Sequence, residues 1–491
     1  MSPFHIFNQR AMEVLRDAGL EGVLATVASP AHDMQHTLWL NTLPGEEYEK
    51  GTYEQASPCA MSDLPQSYLE PVLVEEATKL GAEFRFSTEF LRFEEVENGV
   101  VTTLRDRKTE KEFTVSSQYL IGTDGARSAV LQALKIPAIG RQLNNAFNIH
   151  IRADLSTYIK HRPGSLNWVP NPDAPDWSAV GNFRMVTPWN EWVVSMHPAT
   201  KGGKSAQPTE EAILGRLHQM IGDDSVAIEI LSSFSWTIND QAMRPIGPPP
   251  INGLGSNTCL SDAFNLSWKL AYIVRGWASS SLLDTLTIER KPVGDGIVRP
   301  TDLLKADSKE GEEMRTRFRE ALEATEDEVQ ALRIQMNQVY RQSGAVLVEG
   351  SDTASDFSGL NLLREVMVST YPGYHLPHVW MAANGQSPRV STLDLCGQGH
   401  FTLLTGIGGD AWIAAAEAVS SQLDGVKVRG FKIGFGCDYM DAYREWNKLR
   451  GVGEKGVVLV RPDHFVAWRA YNLVEDAAPR LLSVMQRILH G

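Results

Sequence analysis

The sequence predicts an α/β protein of three parts, and three patterns in its 491 residues point to this class. An apolar segment over residues 119–122 runs into a Gly-x-Asp-Gly turn and a helix, as at the carboxyl edge of an α/β sheet. Between residues 146 and 196 apolar positions recur at every second residue, which indicates strands with one buried face. From about residue 376 short apolar strands mix with helical stretches. A chain of this length is expected to contain about three domains.

Composition excludes several classes of protein. With 43% hydrophobic and 22% charged residues the chain is typical of globular proteins. A net charge of −14 argues against a nucleic-acid surface and against docking on anionic lipid. No secretory signal is visible, and no apolar run approaches the ~20 residues that span a bilayer. The cysteines form no Cys-x-x-Cys pair, which predicts buried thiols in a reducing cytoplasm; they are Cys59, Cys259, Cys396 and Cys437.

The remaining elements follow from periodicity. Helices are predicted over residues 8–20 and 65–81, and strands over the segments that follow, 84–93, 100–105 and 113–115. A proline-rich segment, 239–252, precedes a long helix over 262–275 that is expected to end at Gly276. The buried stripe of this helix is predicted to carry Ala263, Leu266 and Leu270, and residues 300–345 are expected to be charged and helical.

The sharpest local motif is Gly-Thr-Asp-Gly-Ala-Arg-Ser over residues 122–128. A strand that ends in this turn presents backbone amides and the Asp124 carboxylate at a sheet edge, where a ribose or ribityl hydroxyl could be bound. The alternative is that Asp124 and Ser128 only shape the turn and cap the next helix. The residues alone leave these two interpretations open.

A second motif lies at residues 248–258, Pro-Pro-Pro-Ile-Asn-Gly-Leu-Gly-Ser-Asn-Thr. Gly253 and Gly255 allow the backbone to approach a ligand closely. The helix that follows directs its N-terminal amides and positive dipole end toward that ligand. An ordinary tight loop before a core helix is the alternative, and the cluster of prolines and glycines favours the ligand-binding interpretation.

Read in order, these segments resemble the phenol hydroxylase and dichlorophenol hydroxylase group of FAD-dependent aromatic-ring monooxygenases, nearest to its fungal branch. The similarity runs along most of the chain and is carried by several motifs in the family's order. They are residues 8–16, 64–70, 119–128, 249–257 and 288–292, followed in the tail by 389–394, 401–406 and 460–463.

The resemblance implies three domains. Residues 1–140 and 239–345 would form an incomplete Rossmann-like FAD-binding domain, and residues 141–238 would form an inserted β-sheet domain that binds the substrate. Residues 370–491 would form a thioredoxin-like α/β domain at the C terminus. Because that domain has no Cys-x-x-Cys here, no redox role is expected for it.

The resemblance also implies the cofactor site. The ribityl chain of FAD would lie near Gln66 and Asp124, and Arg10 would lie near the phosphates or near the nicotinamide donor. The flavin ring would lie against a loop that carries Pro250, Gly253, Gly255 and Asn257. No catalytic acid or base is identified, and tyrosines and aspartates of the 146–196 sheet are candidates only by location. Four histidines have no partner at ligand or triad spacing and are not expected to act as bases; they are His197, His375, His378 and His400.

The implied activity is a monooxygenase reaction. NADPH would reduce the flavin, and one oxygen atom would pass to a phenolic or polyketide-derived substrate of secondary metabolism, with epoxidation of an alkene as a variant. The protein would keep water from the reacting centre and orient the substrate. A homodimer is compatible with this prediction, and no nucleic-acid or membrane partner is expected.

Two pieces of the family pattern have no counterpart in this sequence. No Gly-x-Gly-x-x-Gly precedes Asn8, and no strand ending in Gly-Asp stands between residues 240 and 249. The first would cradle the pyrophosphate and the second would supply an aspartate to the ribityl chain. The sequence therefore looks like a truncated form of the family, and a flavin-free pseudoenzyme with only a binding role is the alternative function.

Overall fold

The structure, a computed structural model, describes residues 6–29, 36–40, 42–44, 47–52, 56–125, 128–136, 138–161, 166–170, 174–198, 208–243, 255–297, 332–350, 352–362, 365–383 and 386–491. Within these ranges the strands form five sheets, of seven, four, three, three and two strands. No helix in these ranges is both long enough and apolar enough to cross a membrane.

The N-terminal part confirms the predicted helices and the three predicted strands, with shifted ends. Its first helix begins after Asn8, whose side chain accepts a hydrogen bond from the Ala11 amide at 3.0 Å and so caps the helix. The elements are β1 (Ile6–Phe7), α1 (Gln9–Asp17), α2 (Glu21–Leu24), β2 (His36–Leu40), β3 (Glu47–Thr52), β4 (Ser62–Asp63), α3 (Gln66–Lys79), β5 (Thr88–Val96), β6 (Gly99–Asp106), β7 (Glu112–Ser117) and α4 (Ala129–Ala133).

The strand predicted over residues 119–122 does not form. This segment lies outside every sheet of the described residues, and Tyr119 and Ile121 are 38% and 50% exposed. A buried strand needs neighbours that pair with its backbone N–H and C=O groups, and no described strand lies beside this one. The parallel sheet expected of a Rossmann-like domain is therefore not seen among the described N-terminal residues.

The largest sheet confirms the two-residue alternation in the middle of the chain. It has the strand order β12-β8-β11-β10-β9-β2-β3. One face is apolar and packs on a helix, with Ile149, Phe183 and Val194 in one core with Leu217 and Met220. The elements are β8 (Ala138–Arg152), α5 (Ser156–Ile159), β9 (Leu166–Pro170), β10 (Val180–Thr187), β11 (Glu191–His197), α6 (Glu210–Ile221) and β12 (Glu229–Met243).

Two predictions about the long helix were wrong. Helix α7 (Gly255–Val274) starts seven residues before the predicted residue 262, so its first turn occupies part of the predicted ligand loop. Its buried residues are also not the predicted stripe, because Ala263 is exposed and Leu266 and Leu270 are only half-buried. The buried positions include Asn265, Trp268, Lys269 and Tyr272. Gly276 has a φ of +73°, as expected of a residue that ends a helix.

The C-terminal part has the predicted thioredoxin-like arrangement. Its four-stranded sheet has the order β16-β15-β18-β19, in which β15 and β16 are parallel and the other pairs antiparallel. The elements are α8 (Asp284–Ile297), β13 (Trp380–Ala383), β14 (Gln386–Ser391), α9 (Thr392–Leu395), β15 (Phe401–Thr405), α10 (Asp410–Gln422), β16 (Val428–Lys432), β17 (Tyr439–Met440), α11 (Glu445–Leu449), β18 (Val457–Val460), β19 (Val466–Ala470) and α12 (Ala477–His490), where α8 precedes the domain.

The four cysteines are free thiols in the structure. Cys59 and Cys396 are buried, as predicted, whereas Cys259 is exposed and Cys437 is partly exposed. Cys259 is exposed because it lies on α7, on a side of the helix that the described residues do not cover.

Candidate functional site

Arg10 is buried where α1 meets the C-terminal part of the chain. Its guanidinium donates to the Glu13 carboxylate, contacts the His375 ring, and donates from Nε to the Gln335 carbonyl at 3.2 Å. Burial lowers the pKa of Arg10, and the Glu13 charge opposes this shift. Burial and the charge of Arg10 hold the pKa of His375 well below its usual range, so this imidazole is neutral.

A small cavity with a volume of about 10 Å³ adjoins Arg10. Glu13, Tyr340, His375 and His464 are among the residues that line it. This space holds about one water molecule and is far below the roughly 300–1,000 Å³ typical of small-ligand pockets. A dinucleotide cofactor therefore does not fit there.

Asp124 and Gln66 lie on the surface of the N-terminal part. Asp124 is exposed and accepts hydrogen bonds from the Ser128 hydroxyl and, at 3.1 Å, from the Val130 amide at the start of α4. Burial would raise the pKa of Asp124, but the hydrogen bond from Ser128 and those from backbone amides lower it. Gln66 is half-buried in the first turn of α3, where its amide donates to Glu70. These contacts match the interpretation in which Asp124 caps a helix.

The predicted flavin-ring loop is only partly visible. Pro250 and Gly253 lie outside the described residues. Gly255 and Asn257 belong to the first turn of α7 and not to a loop, which corrects the prediction. The Asn257 carboxamide accepts from the Asn8 amide at 2.9 Å and donates to the Ile6 carbonyl at 3.0 Å, so it fixes the entry of the chain into α1.

Among the described residues Arg10, Asp124 and Asn257 share no hydrogen bond with one another. Each contacts other groups of the protein. The predicted roles of the seven candidate residues toward FAD stay predictions.

A buried ion cluster joins α7 and α8 to the C-terminal domain. The Glu289 carboxylate accepts from Lys269 Nζ at 2.7 Å and from both terminal nitrogens of Arg461, at 2.5 and 2.9 Å. The side chains of all three residues are 0% exposed. Burial alone would raise the pKa of Glu289, but the charges of Arg461 and Lys269 outweigh it and lower the pKa. The motif segments 288–292 and 460–463 thus supply Glu289 and Arg461 to a structural cluster.

The second face of the seven-stranded sheet carries a feature that the sequence analysis missed. Asn148 on β8 lies opposite Ser195 on β11, which lies opposite Asn182 on β10. These three residues, here called the polar row, are each 0% exposed. The row continues to Trp168 on β9, directly opposite Asn182, and to Phe234 on β12, opposite Asn148.

Aromatic rings and a partly buried cation border the polar row. The His197 ring lies 5.7 Å from the Trp168 ring and 6.4 Å from the Trp236 ring, measured between centroids. Burial and the charge of Arg184 lower the pKa of His197 to about 4, so its imidazole is neutral at physiological pH. Burial also lowers the pKa of Arg184 to about 10, and the charge of Asp63 opposes that shift. A sequence signal for the row existed, since its residues are polar positions within alternating strands.

Within the described residues no group of His, Cys, Asp and Glu side chains is arranged to hold a metal ion.

Comparison with known proteins decides the family. Residues 4–301 match the family model for an FAD binding domain, and residues 369–490 match the model for the C-terminal part of aromatic-ring hydroxylases. A 2,4-dichlorophenol 6-monooxygenase of Cupriavidus pinatubonensis is 39% identical, over 99% of this chain and 89% of the relative. This chain belongs to the FAD-binding aromatic-ring hydroxylase family.

Other members of the hydroxylase family agree in sequence and in structure. A phenol 2-monooxygenase of a Pseudomonas species is 33% identical, over 98% of this chain and 85% of the relative. The crystal structure of the flavin-dependent monooxygenase PieE, in complex with FAD and substrate, has 33% identity and a TM-score of 0.88 over 100% of this chain and 92% of its own. That of aklavinone-11 hydroxylase, with FAD and aklavinone, has 28% identity and a TM-score of 0.83, over 100% of this chain and 92% of its own.

These findings confirm the predicted hydroxylase family, its mixed α/β fold and FAD as its cofactor. The relatives named here are bacterial, so the assignment to a fungal branch stays a prediction. The alignment with the Cupriavidus enzyme extends over 540 positions, more than the 491 residues of this chain. The relative therefore has residues within the matched range that lack a counterpart here. The predicted truncation and the positions of its two gaps stay predictions.

Proposed function

We propose that this hydroxylase-family chain is an FAD- and NADPH-dependent monooxygenase that hydroxylates a phenolic or polyketide-type aromatic substrate. The observation that carries the proposal is 39% identity over 99% of the chain to an enzyme named for that chemistry. In this family FAD supplies the oxygen-activating chemistry. The contribution of the protein would be to bind and orient the aromatic ring and to keep water from it.

The sheet face with the polar row supports a binding role for residues 141–238. Its opposite face already packs on α6, so the buried polar face is not needed for that core. Aromatic rings beside buried carboxamides are the kind of lining that small aromatic ligands require, since few polar groups set orientation within an otherwise apolar site. We place the substrate against this face.

The test begins with the cofactor. The purified 491-residue chain would be mixed with FAD, passed through gel filtration, and its absorption recorded between about 300 and 600 nm. We expect a flavin spectrum that elutes with the protein, and light scattering on the same column tests the predicted homodimer. NADPH consumption with dichlorophenol and with a hydroxylated anthraquinone would follow, with product masses increased by one oxygen atom.

Two outcomes would contradict the proposal. In the first, the 491-residue protein elutes without flavin, whereas a variant in which the two missing family segments are restored retains it. This chain would then be a flavin-free binding protein. Protein that retains flavin but yields only hydrogen peroxide with every aromatic compound tested would exclude hydroxylation of this substrate class.

A further inference from the structure

The polar row has unsatisfied hydrogen-bonding groups that are fully buried. The Asn148 carbonyl oxygen accepts from the Ser195 hydroxyl at 2.8 Å and from the Trp236 indole N–H at 3.1 Å. Its amide nitrogen, in contrast, has no hydrogen-bond partner among the described residues. Asn182 has no described partner at either its amide nitrogen or its oxygen, although it is 0% exposed.

Buried polar groups without partners lower the stability of the folded protein. A buried polar group without a partner costs about 1–3 kcal/mol, whereas an apolar side chain of similar size at the same position would avoid this cost. Native proteins pair most buried polar atoms, so three unpaired amide atoms within one row need a reason. A ligand that completes their hydrogen bonds is such a reason.

The two carboxamides offer complementary chemistry. The two bonds accepted by the Asn148 oxygen fix its side chain, so its N–H₂ group is held as a donor. Asn182 offers both a donor and an acceptor. Asn148 thus suits a carbonyl or hydroxyl oxygen of a ligand, and Asn182 suits a hydroxyl group, which can donate and accept.

The spacing of the row sets the shape of the ligand. Asn148 and Asn182 lie on β8 and β10, which are separated by β11. Since adjacent strands are about 4.7–4.9 Å apart, the two backbones are roughly 9–10 Å apart. One oxygen atom cannot bond to both amides, because each bond must be about 2.7–3.2 Å long. The rings of Trp168, His197 and Trp236 lie beside the polar row and contact one another, so the row has aromatic neighbours of the kind that pack on a flat ligand ring.

We propose that the polar row selects aromatic substrates that carry two separated oxygen substituents, one bound by Asn148 and the other by Asn182. This inference rests on the proposed function and deepens it, since it places polyhydroxylated, polyketide-type ring systems above simple phenols as substrates. A ligand with a single hydroxyl leaves one buried amide unpaired, and it binds more weakly for that reason.

The experiment compares two probes that differ by one oxygen, 2,6-dihydroxynaphthalene and 2-naphthol. Binding is followed by quenching of tryptophan fluorescence, without NADPH, so that no turnover is needed. For the unmodified protein we expect the diol to bind roughly tenfold more tightly, the effect of about one hydrogen bond. In Asn182→Leu this preference is lost, while the affinity for 2-naphthol changes less than about twofold.

Controls separate recognition from folding. Asn190→Leu replaces an exposed asparagine of the turn between β10 and β11 and keeps the preference. If Asn182→Leu does not fold, Asn148→Leu serves as the second variant, and it is also expected to lose the preference for the diol. Equal affinities of the two probes for the unmodified protein would overturn the inference without any variant. An equal loss of affinity for both probes in Asn182→Leu would also overturn it.

The two proposals fail in different ways. If the protein retains no flavin but still binds the diol more tightly than 2-naphthol, the proposed monooxygenase function is contradicted and the recognition role stays intact. In the other outcome, the protein oxygenates monohydroxylated and dihydroxylated rings with equal kcat/KM and binds both with equal affinity. That result would contradict the recognition role and leave the monooxygenase function intact.

Discussion

At the scale of single residues, the Glu289 carboxylate is the most constrained group of the buried ion cluster. It faces Lys269 and Arg461 with no exposure to solvent. We expect Glu289→Gln to lower the free energy of unfolding by about 3–5 kcal/mol, because two buried cations then lose their shared carboxylate. Urea denaturation at neutral pH measures this. Glu75→Gln, which breaks an exposed ion pair with Lys79, should leave the free energy of unfolding nearly unchanged. Similar losses of unfolding free energy in the two variants would contradict the assignment of Glu289 as the buried partner of both cations.

The lowered pKa of the Glu289 carboxylate predicts how the stability of the protein depends on pH. The folded state holds the pKa of Glu289 below its ordinary value of 4.5. The stabilisation is therefore complete above about pH 4.5 and is lost as the pH falls further, because the unfolded state takes up a proton first. The difference in unfolding free energy between unmodified protein and Glu289→Gln should shrink between pH 5 and 3. A difference that stays constant over this range would show that Glu289 does not titrate in this way.

Some residues could be assigned from sequence and others could not. The turn and cap formed by Asp124 and Ser128 was one of two interpretations that the sequence left open, and it could be stated because the contact is local. Lys269 and Glu289 bond across 20 positions, and Glu289 and Arg461 across 172, so no spacing rule connects them. The polar row depends on strand register, which is a property of three paired strands and not of any one of them.

At the scale of elements, substitutions of two glycines, one within α6 and one directly after it, are expected to have opposite effects on stability. Gly222 ends the helix with a φ of +84°, where a side chain adds about 1–2 kcal/mol of strain. A Cβ there would also lie 3.3 Å from Thr42. Gly215 lies exposed within the helix, with no neighbour within 4 Å of such a Cβ. We expect Gly222→Ala to destabilise, and Gly215→Ala to stabilise by about 0.5–1 kcal/mol.

Thermal and urea unfolding of both alanine variants measure these changes. Destabilisation by Gly215→Ala would show that α6 is not a regular helix at that residue. An unchanged stability of Gly222→Ala would show that the turn after α6 adopts another backbone conformation.

The elements also show where pattern-based prediction ends. Strands β5, β6 and β7 were predicted because each is paired with a sequence neighbour. Residues 119–122 have an equally apolar sequence but no described partner, and they are not a strand. In α7 the buried side is set by the ion cluster and not by the apolar stripe. Local periodicity therefore predicted elements whose partners are close in the chain.

At the scale of the whole molecule, α1 links the two ends of the chain. Arg16 binds Asp394 through two hydrogen bonds, of 2.7 and 3.0 Å. The Asp17 carboxylate accepts from the Gln398 amide at 3.0 Å and contacts His464 at 3.2 Å. We expect Asp17→Ala to raise hydrogen exchange both in α1 and in the turn that contains Gln398, because each holds the other in place.

Mass spectrometry of deuterium uptake measures this coupling. Helix α12 should keep its protection, since its buried residues pack in a separate core. Glu70→Ala, on the exposed side of α3, is the control. Faster exchange in α1 alone would show that the C-terminal domain does not depend on the contact.

The partners of α1 also have a consequence for biosynthesis. Asp17 and His464 are 447 positions apart, so a ribosome that adds about 5–20 residues per second reaches the second on the order of 20–90 seconds after the first. During that interval the nascent N-terminal segment lacks the surface on which it finally rests. Its newly made apolar side is then open to chaperones and to neighbouring nascent chains. A premature stop codon late in the message would thus deprive the beginning of the protein, as well as its end, of a native environment.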